Sequence, residues 1–372
     1  MFEEYNTVKR VLVLYSGGTI GMEKNDKGVY IPSSRSLIHQ MKMIPELHDK
    51  ELAGLHFCGE SVDELVIPLI YQKQIIVYKI IEYNPLYDSS NMSTNDWVRI
   101  ANDIETYYRE YDGFVILHGT DTLAYTASAL SFMLDGLQKP VILTGSQIPI
   151  FENRSDAKSN FLSSLIIAAC FDIPEVCVYF SNKLLRGNRT AKVSSNLLDA
   201  FNSPNMHPLA NVGIRINMHH HYIWHNNGEE FYVHKTLNPN VALLPLFPTI
   251  TGAMIDSFLS SGLEGVVLQS YGVGNIPSNR KDIMEALHKA IKNGILIVNI
   301  TQCAQGSVIS SYETGQALKE IGVICGFDMT AEAALAKLSF VLGEKNLLPE
   351  EKRNVKYLKY KLKILLICFF FS

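Results

Sequence analysis

Short apolar runs recur along this chain, separated by longer stretches in which apolar residues return every three or four positions. The runs 9–15, 113–117, 140–144, 175–180, 265–269 and 295–300 are rich in Val, Ile and Leu and show little alternation. Strands buried on both faces read this way, because neither face meets water. Helical stripes lie between them. Leu123, Ala127, Leu130 and Leu134 share one helix face, with Gly136 as the stop. Phe161, Leu162, Leu165, Ile166 and Ala169 form a second stripe, begun by Ser155 or Asp156. Ile283, Ala286, Leu287, Ala290 and Ile291 form a third, which ends before Gly294. A further helix is predicted over 331–342, capped by Thr330 and closed by Gly343. Strand and helix alternate, which is the pattern of an α/β fold.

The regularity fades between Asn205 and Pro248, where His, Asn, Gly and Pro cluster. The expected organisation is therefore an N-terminal α/β domain over 1–221, a linker over 222–243, a C-terminal α/β domain over 244–350 and a tail over 351–372. A length of 372 residues suits such a division, since domains average about 150 residues. The tail differs in charge from the rest. Residues 352–372 hold six Lys or Arg and no acid, so the first 351 residues carry a net charge of −10. The tail ends in the apolar run 364–371, which is short of the roughly 20 residues a bilayer span needs. It reads as a terminal extension or as a segment that docks on a membrane surface; stable membrane insertion is not expected.

Charge and cysteine usage narrow the function classes. The whole chain carries 33 Lys and Arg against 37 Asp and Glu, a balance without the basic footprint of a nucleic-acid binder. Apolar residues make up 47% of the chain, enough for a large core. The six cysteines show no C-x-x-C pair and no zinc-like spacing. The first apolar run, 11–15, is too short for a signal-peptide core. These features predict a reduced, cytoplasmic protein, in which the N-x-S/T matches at Asn91, Asn188 and Asn299 are chance.

In an open α/β sheet, ligands gather beyond the carboxyl ends of the strands. The first run is followed by Ser16-Gly-Gly-Thr-Ile-Gly21, the second by His118-Gly-Thr-Asp-Thr122, the third by Thr144-Gly-Ser-Gln147, and the fourth by a polar segment reaching Arg186-Gly-Asn-Arg-Thr-Ala-Lys192. Four strand ends thus deliver hydroxyls, glycines, an acid and a lysine to one edge, as a small polar ligand requires. A threonine hydroxyl becomes a nucleophile only when a base takes its proton. Lys192 could serve as that base if burial lowers its pKa, with Asp121 orienting it. On residue types alone, Thr120 reads equally as a helix N-cap and Asp121 as a first-turn acid. No G-x-S-x-G elbow, Walker A or H-E-x-x-H is present. His219, His220 and His221 are adjacent, so on a strand they face alternate sides and cannot all hold one ion. No metal or cofactor is expected. Gly272-Val-Gly-Asn-Ile-Pro277 has Pro where a dinucleotide fingerprint needs its third Gly.

Five blocks carry a family resemblance. They are Tyr15-Ser-Gly-Gly-Thr-Ile-Gly-Met22, Asp88-Ser-Ser-Asn-Met92, His118-Gly-Thr-Asp-Thr122, Arg186-Gly-Asn-Arg-Thr-Ala-Lys192 and Gly326-Phe-Asp-Met-Thr-Ala-Glu-Ala-Ala-Leu335. In this order the chain resembles the bacterial-type L-asparaginases, in particular the intracellular type I branch, over about residues 9–343. It is also similar to the asparaginase module of mammalian asparaginase–lysophospholipases. The resemblance implies a larger N-terminal mixed-sheet α/β domain, a smaller flavodoxin-like C-terminal α/β domain, and hydrolysis of L-asparagine to L-aspartate and ammonia without a cofactor. It implies Thr19 as nucleophile, Tyr30 on a closing loop, and Thr120, Asp121 and Lys192 as a second triad. Gly18, Ser89, Ser90 and Ser146 would hold the substrate. Tyr312 would reach the substrate site of a partner subunit in a homodimer or a homotetramer built as a dimer of dimers. Cys303 lies in the block associated with regulatory asparagine binding. Ser16 stands where the family often has Thr, and Asn91 where Asp is common. Two other expectations compete: a catalytically silent amino-acid sensor, and an amidotransferase component that supplies ammonia to a partner.

Overall fold

A computed structural model describes residues 7–33, 36–57, 64–69, 74–225, 228–309, 313–345, 347 and 352. The chain forms two compact units, Met1–Ser203 with His207–His234, and Pro204–Met206 with Lys235–Ser372.

Among the described residues, nine strands of the first unit form one sheet. Across it they run Ile216–Met218, Ala210–Val212, Lys183–Arg186, Val176–Phe180, Val141–Thr144, Gly113–Leu117, Val8–Gly17, Ile75–Tyr87 and Glu64–Val66. The five from Val176–Phe180 to Ile75–Tyr87 are parallel. The flanking strands are antiparallel, so the sheet is mixed. The apolar runs form its centre: Val11 to Leu14 and Phe114 to Leu117 are wholly buried. Helices Thr94–Tyr107, Leu123–Met133 and Ala157–Cys170 accompany these strands. Helix Thr94–Tyr107 starts at a capping box, where the Ser93 N–H donates to Asp96 (2.8 Å). It buries Trp97, Ile100, Ala101 and Ile104. The parallel run ends in a two-residue hairpin at Ser181 and Asn182, whose φ values of 46° and 66° suit a turn that follows the strand twist.

Helix Leu123–Met133 stops earlier than its stripe predicts. Leu134 leaves the helix and pairs with Val233 in a small two-stranded ladder, and Gly136 takes the left-handed conformation. The second unit is a four-stranded parallel sheet in the order Val241–Pro245, Gly265–Ser270, Leu296–Thr301, Ile324–Cys325. Helix Lys281–Lys292 buries Ile283, Ala286, Leu287, Ala290 and Ile291, the five residues of its predicted stripe. Among the described residues, no helix is long and apolar enough to cross a membrane.

Candidate active site

Three loops meet at the carboxyl edge of the central strands, and missing side chains let them meet. Gly17 and Gly18 adopt φ of 129° and 92°, a region that favours glycine. A Cβ on Gly18 would lie 2.4 Å from the Gly119 Cα, and one on Gly119 would lie 2.5 Å from the Ser89 Oγ. A Cβ on Gly17 would lie 2.2 Å from the Tyr87 carbonyl oxygen. The Thr19 loop therefore touches the Thr120 loop and the Tyr87 backbone directly, and the Ser89 side chain packs on Gly119. Hydrogen bonds hold the contact: Ser16 Oγ donates to the Leu117 carbonyl (3.0 Å) and Thr122 Oγ1 to the Ser89 carbonyl (2.6 Å). Asp88 accepts from the Ser90 N–H (3.0 Å) and shapes the turn Ser89–Asn91. Ser89 is buried, whereas Ser90 and Asn91 are exposed. Thr19 is half-buried and opens the single turn Thr19–Gly21.

Lys192 reaches this edge from a distant part of the chain. Its Nζ donates to Thr120 Oγ1 (2.9 Å) and to Asp121 Oδ1 (2.8 Å). Thr120 is 7% exposed, while the Asp121 side chain is 64% exposed, so the contact sits at the rim of a buried hydroxyl. Thr120 does not cap the following helix; Thr122 occupies that position. The Thr120 hydroxyl instead donates to Gln147 Oε1 (3.3 Å). Gln147 is itself braced: its N–H donates to Asp156, and its Nε2 to the Leu197 carbonyl (3.1 Å). The segment before Lys192 is anchored by a buried ion pair. Arg186 donates to Glu175 through Nε (2.5 Å) and Nη2 (2.9 Å). Thr190 Oγ1 then donates back to the Arg186 carbonyl (2.7 Å), and Ala191–Lys192 pairs with Phe201–Asn202.

Tyr30 lies on the hairpin Met22–Lys24/Tyr30–Pro32 and is 40% exposed. Its hydroxyl donates to Glu152 (3.4 Å), and the Lys24 ammonium sits over its ring while also pairing with Glu152 (3.1 Å). The hairpin turn is tied by Asn25 Oδ1, which accepts from the Lys27 and Val29 N–H groups (3.0 Å each). Ser146 is buried, and among the described residues its hydroxyl has no hydrogen-bond partner. Cys303 is exposed in the second unit, its N–H donating to Thr301 (3.0 Å). Tyr312 lies outside the described residues. Among the described residues, no three His, Cys, Asp or Glu side chains are grouped to hold a metal. Residue types did not nominate Gln147, although it directly follows the strand end that supplies Ser146. An acceptor for a buried threonine is recognisable only once its partner is known.

The arrangement offers a hydroxyl at Thr19, a hydroxyl–ammonium–carboxylate set on the adjoining loop, and glycines where those two loops touch. A family model described as "Asparaginase, N-terminal" matches residues 10–224, and one described as "Glutaminase/Asparaginase C-terminal domain" matches residues 240–355. An L-asparaginase of Dirofilaria immitis is 48% identical over 336 residues, which are 90% of this chain and 57% of that protein. L-asparaginase 1 of Escherichia coli K12 is 44% identical over 338 residues, 90% of this chain and 92% of that one. The crystal structure of L-asparaginase I from Vibrio cholerae superposes with a TM-score of 0.80 at 38% identity, covering 96% of this chain and 98% of that one. The chain thus spans less than two thirds of the Dirofilaria protein and nearly all of the bacterial ones.

Proposed function

This chain belongs to the asparaginase family, and from that premise we propose that it is an L-asparagine amidohydrolase with a threonine nucleophile. The observation that carries this reading is the contact of Lys192 with both Thr120 and Asp121, on a loop packed against the one that bears Thr19. Thr19 Oγ1 attacks the side-chain amide carbon, and its proton passes through Tyr30 or a water to the departing nitrogen. The C–N bond breaks, ammonia departs, and a β-aspartyl ester stays on Thr19. A water activated by Thr120, Lys192 and Asp121 then attacks the ester carbon. Aspartate leaves and the Thr19 hydroxyl is restored. Backbone N–H donors near Thr120 stabilise the oxyanion in both steps, a contribution worth about 3 kcal/mol per donor in other enzymes. Ser89 and Ser90 hold the α-amino and α-carboxylate groups, with Gly18 and Ser146 completing the substrate pocket.

Full activity in chelator is the expected result when ammonia release from L-asparagine is measured. Glutamine turns over far more slowly, because its extra methylene displaces the amide carbon from Thr19. Absence of ammonia at millimolar asparagine overturns the reading in favour of a silent sensor. The same titration, fitted for its Hill slope, tests a regulatory asparagine site at Cys303; a slope of one argues against it.

The active unit we propose is a cytoplasmic homodimer, or a homotetramer built from two such dimers. The support is the type I resemblance of the block around Tyr312, which would complete the neighbour's pocket across a two-fold interface. Thr19→Ala and Tyr312→Ala proteins, each inactive, regain activity when unfolded together and reassembled, because one pocket of the mixed dimer carries both lesions and the other none. Mixed dimers without activity exclude a shared pocket.

A further inference from the structure

Among the buried titratable groups that the mechanism above leaves unused, one stands two residues before Thr120. His118 is 0% exposed at the end of strand Gly113–Leu117. Its Nδ1 lies 2.7 Å from the Gly119 carbonyl oxygen, and its Nε2 lies 2.9 Å from Thr126 Oγ1. Thr126 is also buried and accepts from the Trp97 indole Nε1–H (3.0 Å).

The chemistry of the end members sets every proton in this chain. An indole N–H can only donate and a carbonyl can only accept. Nδ1 must therefore carry the proton that meets Gly119, and Thr126 must donate its own hydroxyl proton to Nε2 if the ring is neutral. Burial pushes the imidazole down to about 4, so the ring is neutral at physiological pH. The result is a one-way relay, Trp97 to Thr126 to His118 to the Gly119 carbonyl.

That carbonyl belongs to the same peptide unit as the Thr120 N–H. The unit is planar, and the only cis bond among the described residues is Asn84–Pro85, so the C=O and N–H point in opposite directions. A carbonyl drawn onto the buried ring turns the N–H away from it. Gly119 has no side chain to resist this, and its Cα packs on Gly18 beside Thr19.

We propose that His118 is a positioning residue: it locks the Gly119–Thr120 peptide so that the Thr120 N–H serves as an oxyanion donor to the amide carbonyl undergoing attack. The inference rests on the amidohydrolase reading, and it adds a group that does not itself touch substrate.

The test uses the full chain and three variants, His118→Phe, His118→Asn and Thr126→Val. Asparagine kinetics are measured for each alongside the ¹⁵N shifts of the wild-type imidazole. A misaimed transition-state donor lowers kcat and leaves KM nearly unchanged. His118→Phe, which cannot donate to Gly119, loses about 10- to 100-fold in kcat, below the 10²–10³ seen when a whole donor is deleted. His118→Asn places an amide N–H near the former Nδ1 and keeps kcat within about threefold, because the bond to the carbonyl is restored. Thr126→Val falls between them. The wild-type ring shows the Nδ1–H tautomer throughout. A folded His118→Phe protein with wild-type kcat overturns the proposal, as do equal losses in the Phe and Asn variants or an Nε2–H tautomer. If His118→Phe does not fold, Thr126→Val and the tautomer decide on the same terms. A wild-type chain that releases no ammonia overturns the amidohydrolase reading, and this proposal falls with it, whichever tautomer is found.

Discussion

Thr19→Ala lowers asparagine turnover by about 10⁴-fold or more, since loss of a nucleophile removes the covalent route entirely. The protein remains folded, because Thr19 is half-buried on a single turn and the substitution deletes only a small side chain. Lys192→Met lowers turnover by about 10³-fold, a loss in the range of a general-base deletion, with the aliphatic stem retained. Its effect on stability is within about 1 kcal/mol, because the partner carboxylate of Asp121 is largely solvated and surface ion pairs contribute little. The two variants differ in what accumulates. With Thr19 intact and the second triad broken, the β-aspartyl ester is formed but not hydrolysed. Mass spectrometry of Lys192→Met mixed with asparagine then finds one aspartyl group on the peptide containing Thr19. An unmodified peptide in a slowly turning-over Lys192→Met enzyme argues for direct attack by water. Near-normal turnover in Thr19→Ala removes Thr19 from the chemistry altogether.

The second large effect comes from a residue with no chemistry of its own. In Gly18→Ala, the new Cβ meets the Gly119 Cα at 2.4 Å, the Gly119 N at 2.5 Å and the His118 carbonyl carbon at 2.9 Å, all backbone atoms. Backbone cannot swing aside as a flexible side chain can, so the two loops must part. The φ of 92° adds strain for any L side chain, and together these cost about 3 kcal/mol or more. Turnover drops about 100-fold, because a displacement near 1 Å between reacting groups has that effect. Gly28→Ala is the control. Its φ of 75° is also left-handed, yet a Cβ there meets nothing within 4 Å, so it costs only the local strain of about 1 kcal/mol. Urea denaturation and steady-state kinetics on both proteins separate crowding from strain. Equal losses in the two variants would show that close packing of the Thr19 and Thr120 loops is not what demands glycine.

These expectations depend on packing that was only partly legible beforehand. The central parallel strands were readable because burial on both faces leaves nearly continuous Val, Ile and Leu. Strand Ile75–Tyr87 was not, although it is the longest in the sheet at 13 residues. It carries Lys79, Glu82, Asn84 and Pro85. Its far half extends past its partner Glu64–Val66; there Asn84 and Pro85 are exposed, and half-buried Glu82 accepts from the Ser36 hydroxyl and the Ile38 N–H, so the stretch carries polar residues for local contacts rather than an apolar run. The antiparallel strands Lys183–Arg186, Ala210–Val212 and Ile216–Met218 were hidden for a related reason. They are three or four residues long, and they join the sheet through antiparallel pairing rather than through an apolar run.

The sequence by itself determined the α/β alternation, the caps and stops of several helices, and which strand ends carry glycine, hydroxyl, acid and lysine. Those are local properties, set by neighbours within one or two turns of chain. It also determined the family, since five blocks in register stand or fall by residue identity alone. Only the tertiary structure decided which of those groups touch. Thr120 and Lys192 are 72 positions apart, and their contact follows from the order of strands in the sheet and from the hairpin that returns the chain toward Lys192. Whether Thr120 caps a helix or meets a lysine was open on residue types, because a threonine at a helix start suits both. The protonation of His118 was likewise beyond sequence reading: it follows from Trp97 and Thr126, which a separate helix and the start of the next one bring to the ring.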